Sequence, residues 1–260
     1  MQITANQDWS AEGYEGNARF VADYGTVLLD HLNARPGERI LDLGCGDGWL
    51  LSLVRERHPA LSIVGIDLSA HELEILDRRD TGAVPLLARA QALPLAGESI
   101  DLVLSHMALP LMEEPARVLD EIHRVLCPGG TLGAVIGGGP KVGDPFELFI
   151  DLLLEQLGEG IRELPRLSEA TYRKSAELAA VFTGAEKAFE GVEIREEYVD
   201  CGGDFDSLWP RLVTVYEAML LGPEERDELR ARYQAALGPL ASAPHIPCTM
   251  AVRRLVARKR

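Results

Sequence analysis

Five residues, Gly44-Cys45-Gly46-Asp47-Gly48, stand between an apolar β-type segment, Ile40 to Leu43, and an apolar helical run that starts at Trp49. Strand, glycine turn and helix in that order bring bare backbone against a nucleotide-like ligand. A side chain at these glycines would block the ligand or forbid the turn. A second apolar run, Ile63 to Ile66, ends in Asp67. A carboxylate at the tip of a second strand can grip two ribose hydroxyls. The plainer alternatives are a tight turn at Gly46 and Gly48, and a helix N-terminal acid ahead of Ser69 for Asp67. Spacing narrows the ligand. Dinucleotide sites use G-x-G-x-x-G, whereas here the third glycine comes one residue early, as G-x-G-x-G.

The segment Leu41 to Gly48 resembles motif I of the class I S-adenosylmethionine (SAM) methyltransferases, of the methyltransferase type 11 kind. The resemblance continues in order along residues 36–137. Asp67 matches the ribose-binding acid, Ala90 to Pro94 the adenine-side segment, Ile100 to His106 the fourth strand, and Val125 to Thr131 the turn before the fifth. The resemblance implies SAM as cofactor and S-adenosylhomocysteine as product. It places Gly44 and Gly46 at the methionyl part, with Asp42 supporting the loop and the amine. Cys45, Gly48, Leu68, Ala90, Gln91 and Ser105 complete the expected cofactor contacts, and Tyr14, with Asn17 and Phe20, lies where N-terminal segments of relatives close over SAM. Arg89 departs from the pattern. It stands where many relatives carry an Asp that accepts the adenine amino group, and arginine cannot accept. The amino group then goes to a backbone carbonyl or to Gln91, or Arg89 points outward. Cys45 reads as a small apolar filler rather than a nucleophile.

Methyl transfer from a sulfonium needs alignment and exclusion of water more than acid–base help. The candidate base is His106, directly after the expected fourth strand. An imidazole near neutral pKa suits that work; the alternative is that it lines the pocket.

Periodicity predicts the elements that must hold these groups. Strands are expected at 39–43, 61–66, 84–88, 100–105 and 131–136, with helices at 48–57, Ala70 to Arg79 and Glu113 to Leu126. Ser69 and Glu72 form a capping-box pattern. Strict βα alternation gives a doubly wound α/β fold with a parallel sheet. The resemblance implies more: a Rossmann-like sheet of seven strands whose last is antiparallel, from Val192 to Val199 and Cys248 to Ala257. One domain is expected over 1–260, with a core at 36–137, 188–204 and 246–258 and helical lid insertions at 1–34, 138–187 and 205–238. Helices in the latter fall at Pro145 to Leu157, Ser168 to Phe182, Ser207 to Leu221 and Pro223 to Leu237.

Of 260 residues, 41 are acidic and 26 basic, a net charge of -15. Nucleic acid and anionic membrane both need a basic footprint, so neither is expected as a partner. No signal-like N-terminus and no apolar stretch of spanning length is read, and the four scattered cysteines indicate neither zinc nor a disulfide framework. A cytoplasmic monomer or homodimer without a metal is expected. The expected function is methyl transfer to oxygen or nitrogen of a small molecule. A loose likeness to trans-aconitate methyltransferases at Trp9 to Tyr14 and Ile246 to Arg254 hints at an acidic one. Arg162, Arg166, Arg173 and Lys174 could meet an anion or be solvated charges. The other readings are a different SAM-using transferase on the same fold, or a catalytically idle binding protein.

Overall fold

A computed structural model of the chain describes residues 34–158, 182, 189–215 and 217–260. Tyr14, Asn17, Phe20, Arg162, Arg166, Arg173, Lys174 and nearly all of the expected helix Ser168 to Phe182 lie outside the described residues.

Strands and helices alternate as the periodicity predicts: β1 (Arg39–Leu43), α1 (Trp49–Arg57), β2 (Ser62–Asp67), α2 (Ala70–Arg78), β3 (Ala83–Leu87), β4 (Ile100–His106), α3 (Pro115–Val125) and β5 (Leu126–Pro140). Then come α4 (Pro145–Leu157), β6 (Phe189–Asp200), α5 (Phe205–Leu212), α6 (Pro223–Leu237) and β7 (Thr249–Lys259). Seven strands form one sheet in the order β3-β2-β1-β4-β5-β7-β6. β1 to β5 run parallel, with β1 between β2 and β4. β7 runs the other way. Lys141 N donates to Thr249 O at one end of the β5–β7 pair, and the Lys259 ammonium donates to Leu126 O at the other. The order reverses at β1, which puts the switch point, where open α/β sheets bind ligands, at the carboxyl end of β1.

Two compact units divide the chain. The larger holds β1 to β4, α1 to α3, β5 through Ile136, β6 through Glu196 and β7 from Arg253. Its core is an apolar layer that includes Leu41, Leu43, Val103, Val118, Ile122 and Leu132, all essentially without exposed surface. α3 supplies Val118, Leu119, Ile122 and Val125 from one face, the i, i+3, i+4 spacing that commits an amphipathic helix to a sheet. The smaller unit runs from Gly137 through α4 and from Glu197 to Val252. It has its own aromatic core, in which Phe149 meets Trp209 and Tyr233 edge to face at 6.1 and 5.6 Å, and the Tyr233 hydroxyl donates to Pro145 O. Such pairs add about 0.5–1.5 kcal/mol each beyond the area they bury.

Four expectations change. β5 begins at Leu126, not 131, because Pro128–Gly130 does not break it. Pairing to β4 jumps from Ile100 with Leu126 to Leu102 with Thr131, so these residues form a bulge, with Gly129 at φ +76°. His106 is the last residue of β4 rather than a loop residue after it. The helix expected from Ser207 to Leu221 spans only Phe205–Leu212 and ends two residues after Pro210, whose ring removes a backbone donor. The capping box of α2 is half made: Ser69 accepts from Glu72 N, but Glu72 does not return the bond.

Candidate active site

The glycine loop sits at the carboxyl end of β1 with Gly44, Gly46 and Gly48 all at positive φ, +76°, +51° and +81°. Two of these glycines are demanded by the protein's own packing as well as by the backbone. A Cβ on Gly44 would lie 2.4 Å from Ala108 Cβ, and one on Gly48 would lie 2.3 Å from Leu76 Cδ1. The loop is therefore pressed between the segment after β4 and the buried face of α2. Gly44 N and Cys45 N both donate to Ile66 O, at 2.8 and 3.1 Å, which ties the loop to the end of β2. Gly65 is bare for the same reason. Its missing Cβ leaves room for Cys45 Sγ and two leucines. Burial pushes the Cys45 thiol far up, so it stays protonated as the expected filler.

Asp67 closes the arrangement. Oδ2 accepts from Gly46 N at 2.9 Å and Oδ1 from Ser69 N at 2.9 Å. One carboxylate thus fastens the glycine loop to the N-terminus of α2. It takes the Ser69 amide that Glu72 would have used in a capping box. Asp67 is thus the helix N-terminal acid of the plainer reading, and it also holds the glycine loop. Each oxygen keeps a further lone pair for a hydroxyl donor.

Acids crowd the loop from three sides. Asp42 is buried, 1% exposed, and its Oδ1 has no hydrogen-bond partner. Desolvation, and then the charge of Asp67, push it up to about 8. Glu72 is buried with both oxygens unpartnered, and desolvation, then Asp47 and Asp67, push it up to about 7. Asp47 is satisfied by Arg79, whose guanidinium pairs with its carboxylate, donates to its carbonyl and stacks 5.6 Å over Trp49. Buried unpartnered carboxyls are costly unless something cationic or hydrogen-donating meets them. An ammonium with two vicinal hydroxyls nearby is the chemistry this donor set fits.

On the expected adenine side, Ala90 and Gln91 are buried, and Gln91 Nε2 donates to Glu113 O at 2.6 Å. That leaves its Oε1 as an acceptor. Arg89 turns to the surface and pairs with exposed Glu113 at 3.0 Å. Leu68, 44% exposed, stands beside Asp67 as an open apolar surface. Ser105 is fully buried and its hydroxyl donates to Leu43 O, so it locks β4 to β1 rather than offering its side chain.

His106 departs from expectation in its chemistry as well as its place. Burial alone drives the imidazole down to about 4, and Nε2 has no partner. It is a neutral, weakly basic ring at physiological pH, not one poised near neutrality. Met107, next in the chain, carries φ +56°, a conformation that bulky side chains adopt at a cost, and donates its N–H to Val135 O. Among the described residues, no three His, Cys, Asp or Glu come together as a metal-binding group, and no helix is long and apolar enough to cross a membrane.

Sequence reasoning missed Glu72, Arg79 and Ala108. A signal existed for Glu72. It lies four residues before Leu76, on the buried face of α2, where a carboxylate has no ordinary reason to be.

Residues 41–134 match the family described as "Methyltransferase domain". The malonyl-[acyl-carrier protein] O-methyltransferase of Methylococcus capsulatus is 37% identical over 129 residues, 47% of this chain and 46% of that one. The chain spans less than half the length of the curated relatives it matches. Among solved structures, the YcgJ protein of Bacillus subtilis has the same fold at a TM-score of 0.59 and 17% identity, covering 91% of this chain and 97% of that one. Haemonchus contortus phosphoethanolamine N-methyltransferase 2, solved with S-adenosyl-L-methionine, aligns at a TM-score of 0.57 and 15% identity over 99% of this chain and 60% of that one.

Proposed function

We propose that this chain, which carries a class I methyltransferase domain, binds SAM at the Gly44–Gly48 loop and methylates a small or carrier-linked carboxylate. The observation that carries the cofactor assignment is the Asp67 carboxylate, bonded to Gly46 N and Ser69 N, beside the unpartnered Asp42 oxygen. Asp67 holds the two ribose hydroxyls on its remaining lone pairs. Asp42 meets the ammonium, which supplies the partner its buried carboxyl lacks. The adenine amino group goes to Gln91 Oε1 or to backbone at Ala90, and Leu68 covers the ring. Bound SAM supplies a methyl group on a sulfonium, so what the chain must add is alignment and dryness.

His106 supports a carboxylate as the acceptor class. An imidazole held near 4 is a poor match for a hydroxyl or an ammonium that must lose its proton. A carboxylate is already ionised and needs no base. Methyl ester formation also agrees with the malonyl-carrier O-methyltransferases among the relatives. Here His106 lines the site and keeps it dry.

Two results follow. His106→Gln lowers the rate by less than about tenfold between pH 6 and 8, because a general base contributes roughly a hundredfold or more; steady-state rates across that range check it, and a hundredfold loss would mean that the imidazole removes a proton. Arg89→Ala changes SAM affinity by less than about threefold, since an exposed ion pair contributes about 0–1 kcal/mol. A tenfold change in titration calorimetry would put Arg89 on the adenine. The function itself is tested by incubating the protein with SAM and a panel of malonyl thioesters, dicarboxylates, phenols and amines. A mass gain of about one methyl group on a carboxylate, reversed by mild alkali as an ester is, supports the proposal. Transfer only to phenols or amines, or a larger mass gain, contradicts it.

A further inference from the structure

Glu72 carries an inference that rests on the SAM reading and deepens it. Its side chain is 4% exposed, and neither carboxyl oxygen has a hydrogen-bond partner. Its helix packs on the cofactor loop, since Leu76, one turn further on, fills the space beside Gly48. The charged groups that reach it come from three elements. Asp47 faces it from the glycine loop, Asp67 from the end of β2, and Arg79 from the residue after its own helix. Arg79 is already committed to Asp47. Its helix neighbours His71 and Glu74 face solvent. Glu72 thus has two acids for neighbours and no cation of its own.

We propose that Glu72 is a positioning residue of the cofactor site that is protonated when the site is empty and releases its proton when the cationic cofactor enters. Desolvation and the two neighbouring acids hold the carboxyl up near 7 in the protein alone, so it shares its proton across neutrality. A positive ligand at the loop offsets the charge of Asp67 and removes part of what keeps that proton on. The proton passes to solvent, and binding tightens as pH rises through this range. The Glu72 N–H donates to Ser69 Oγ and the Ser69 N–H to Asp67 Oδ1, so the first turn of α2 connects Glu72 to the acid that holds the loop.

The linkage has a definite size. Release of one proton changes affinity by up to about tenfold per pH unit below the titration midpoint. Glu72 is expected to make SAM bind roughly five- to tenfold tighter to the wild-type protein at pH 7.5 than at pH 6, on top of any rise that Asp42 adds. Calorimetry in two buffers of different ionisation enthalpy should count about half a proton or more released near pH 6.5. Glu72→Gln keeps the shape and removes this titration, so its affinity is expected to rise over that range about five- to tenfold less than the wild type's. Asp42, held up near 8 and meeting the ammonium on the same reading, adds its own rise below about pH 8 in both proteins, so the difference between them reports on Glu72. A wild type that releases less than about a tenth of a proton overturns the inference without need of any variant. Equal proton release in wild type and Glu72→Gln overturns it too, while leaving SAM binding intact. A wild type that binds no SAM at any pH overturns the functional reading itself, and this inference with it.

Discussion

Asp67→Asn weakens SAM binding by at least about a hundredfold and leaves the far-ultraviolet circular dichroism of the protein unchanged. The carboxylate accepts from Gly46 N through one oxygen and from Ser69 N through the other. An asparagine has one acceptor oxygen, so its amide must face one of those N–H groups donor to donor. Either the glycine loop or the first turn of α2 loses its fastening. On the proposed reading, the ribose hydroxyls lose a carboxylate acceptor at the same time. Hydrogen bonds to charged groups are worth about 1.5–3 kcal/mol each, so losing two amounts to roughly a hundredfold or more in affinity. The fold survives because Asp67 is the last residue of β2 and the core is built from Leu41, Val103, Ile122 and their neighbours. Titration calorimetry with SAM checks it; affinity within tenfold of wild type would remove Asp67 from the site.

Gly44→Ala is the second large effect, and it reports on the protein rather than on the ligand. Its Cβ would stand 2.4 Å from Ala108 Cβ and 3.2 Å from the Met112 methyl, at a backbone φ of +76°. The left-handed backbone costs a non-glycine residue about 1–3 kcal/mol, and the contact with Ala108 forces the loop off Ile66 O, to which Gly44 N donates at 2.8 Å. Expected are a loss of about 2–4 kcal/mol in stability by denaturant titration and no measurable SAM binding. Ala108→Gly in the same chain opens the space without changing the φ demand. It is expected to restore a part of the stability, about 1 kcal/mol or more, and a measurable affinity. No rescue by the second change would mean that the loop is not packed against the segment after β4 as described.

These two residues also show what the sequence could and could not disclose. Glycine spacing and the acid at the end of β2 were legible because backbone chirality and strand ends impose them locally. The same holds for the α4 and α6 boundaries, where Pro145 and Pro223 occupy the first turn. The reason Gly44 is bare was not legible, since Ala108 lies 64 positions on and meets it only through the β1–β4 pairing. The fifth strand began early for a similar reason: Pro128-Gly-Gly130 reads as a turn by itself, and only the register against β4 turns it into a bulge. His106 falls at the end of β4 rather than after it, and its ionisation also differs from expectation. Burial is a property of the assembled core, and it moved the imidazole away from neutrality. Arg89 was undecided between adenine and solvent until Glu113, 24 residues away, supplied its partner.

The central claim is that the Gly44–Gly48 loop and Asp67 form a SAM site. Titration calorimetry of the full chain with SAM at pH 7.5, run beside Asp67→Asn, tests it most directly. One saturable site in the micromolar range, lost in the variant, is the predicted result. No binding heat from the wild type at millimolar SAM, or equal binding by both proteins, would contradict it.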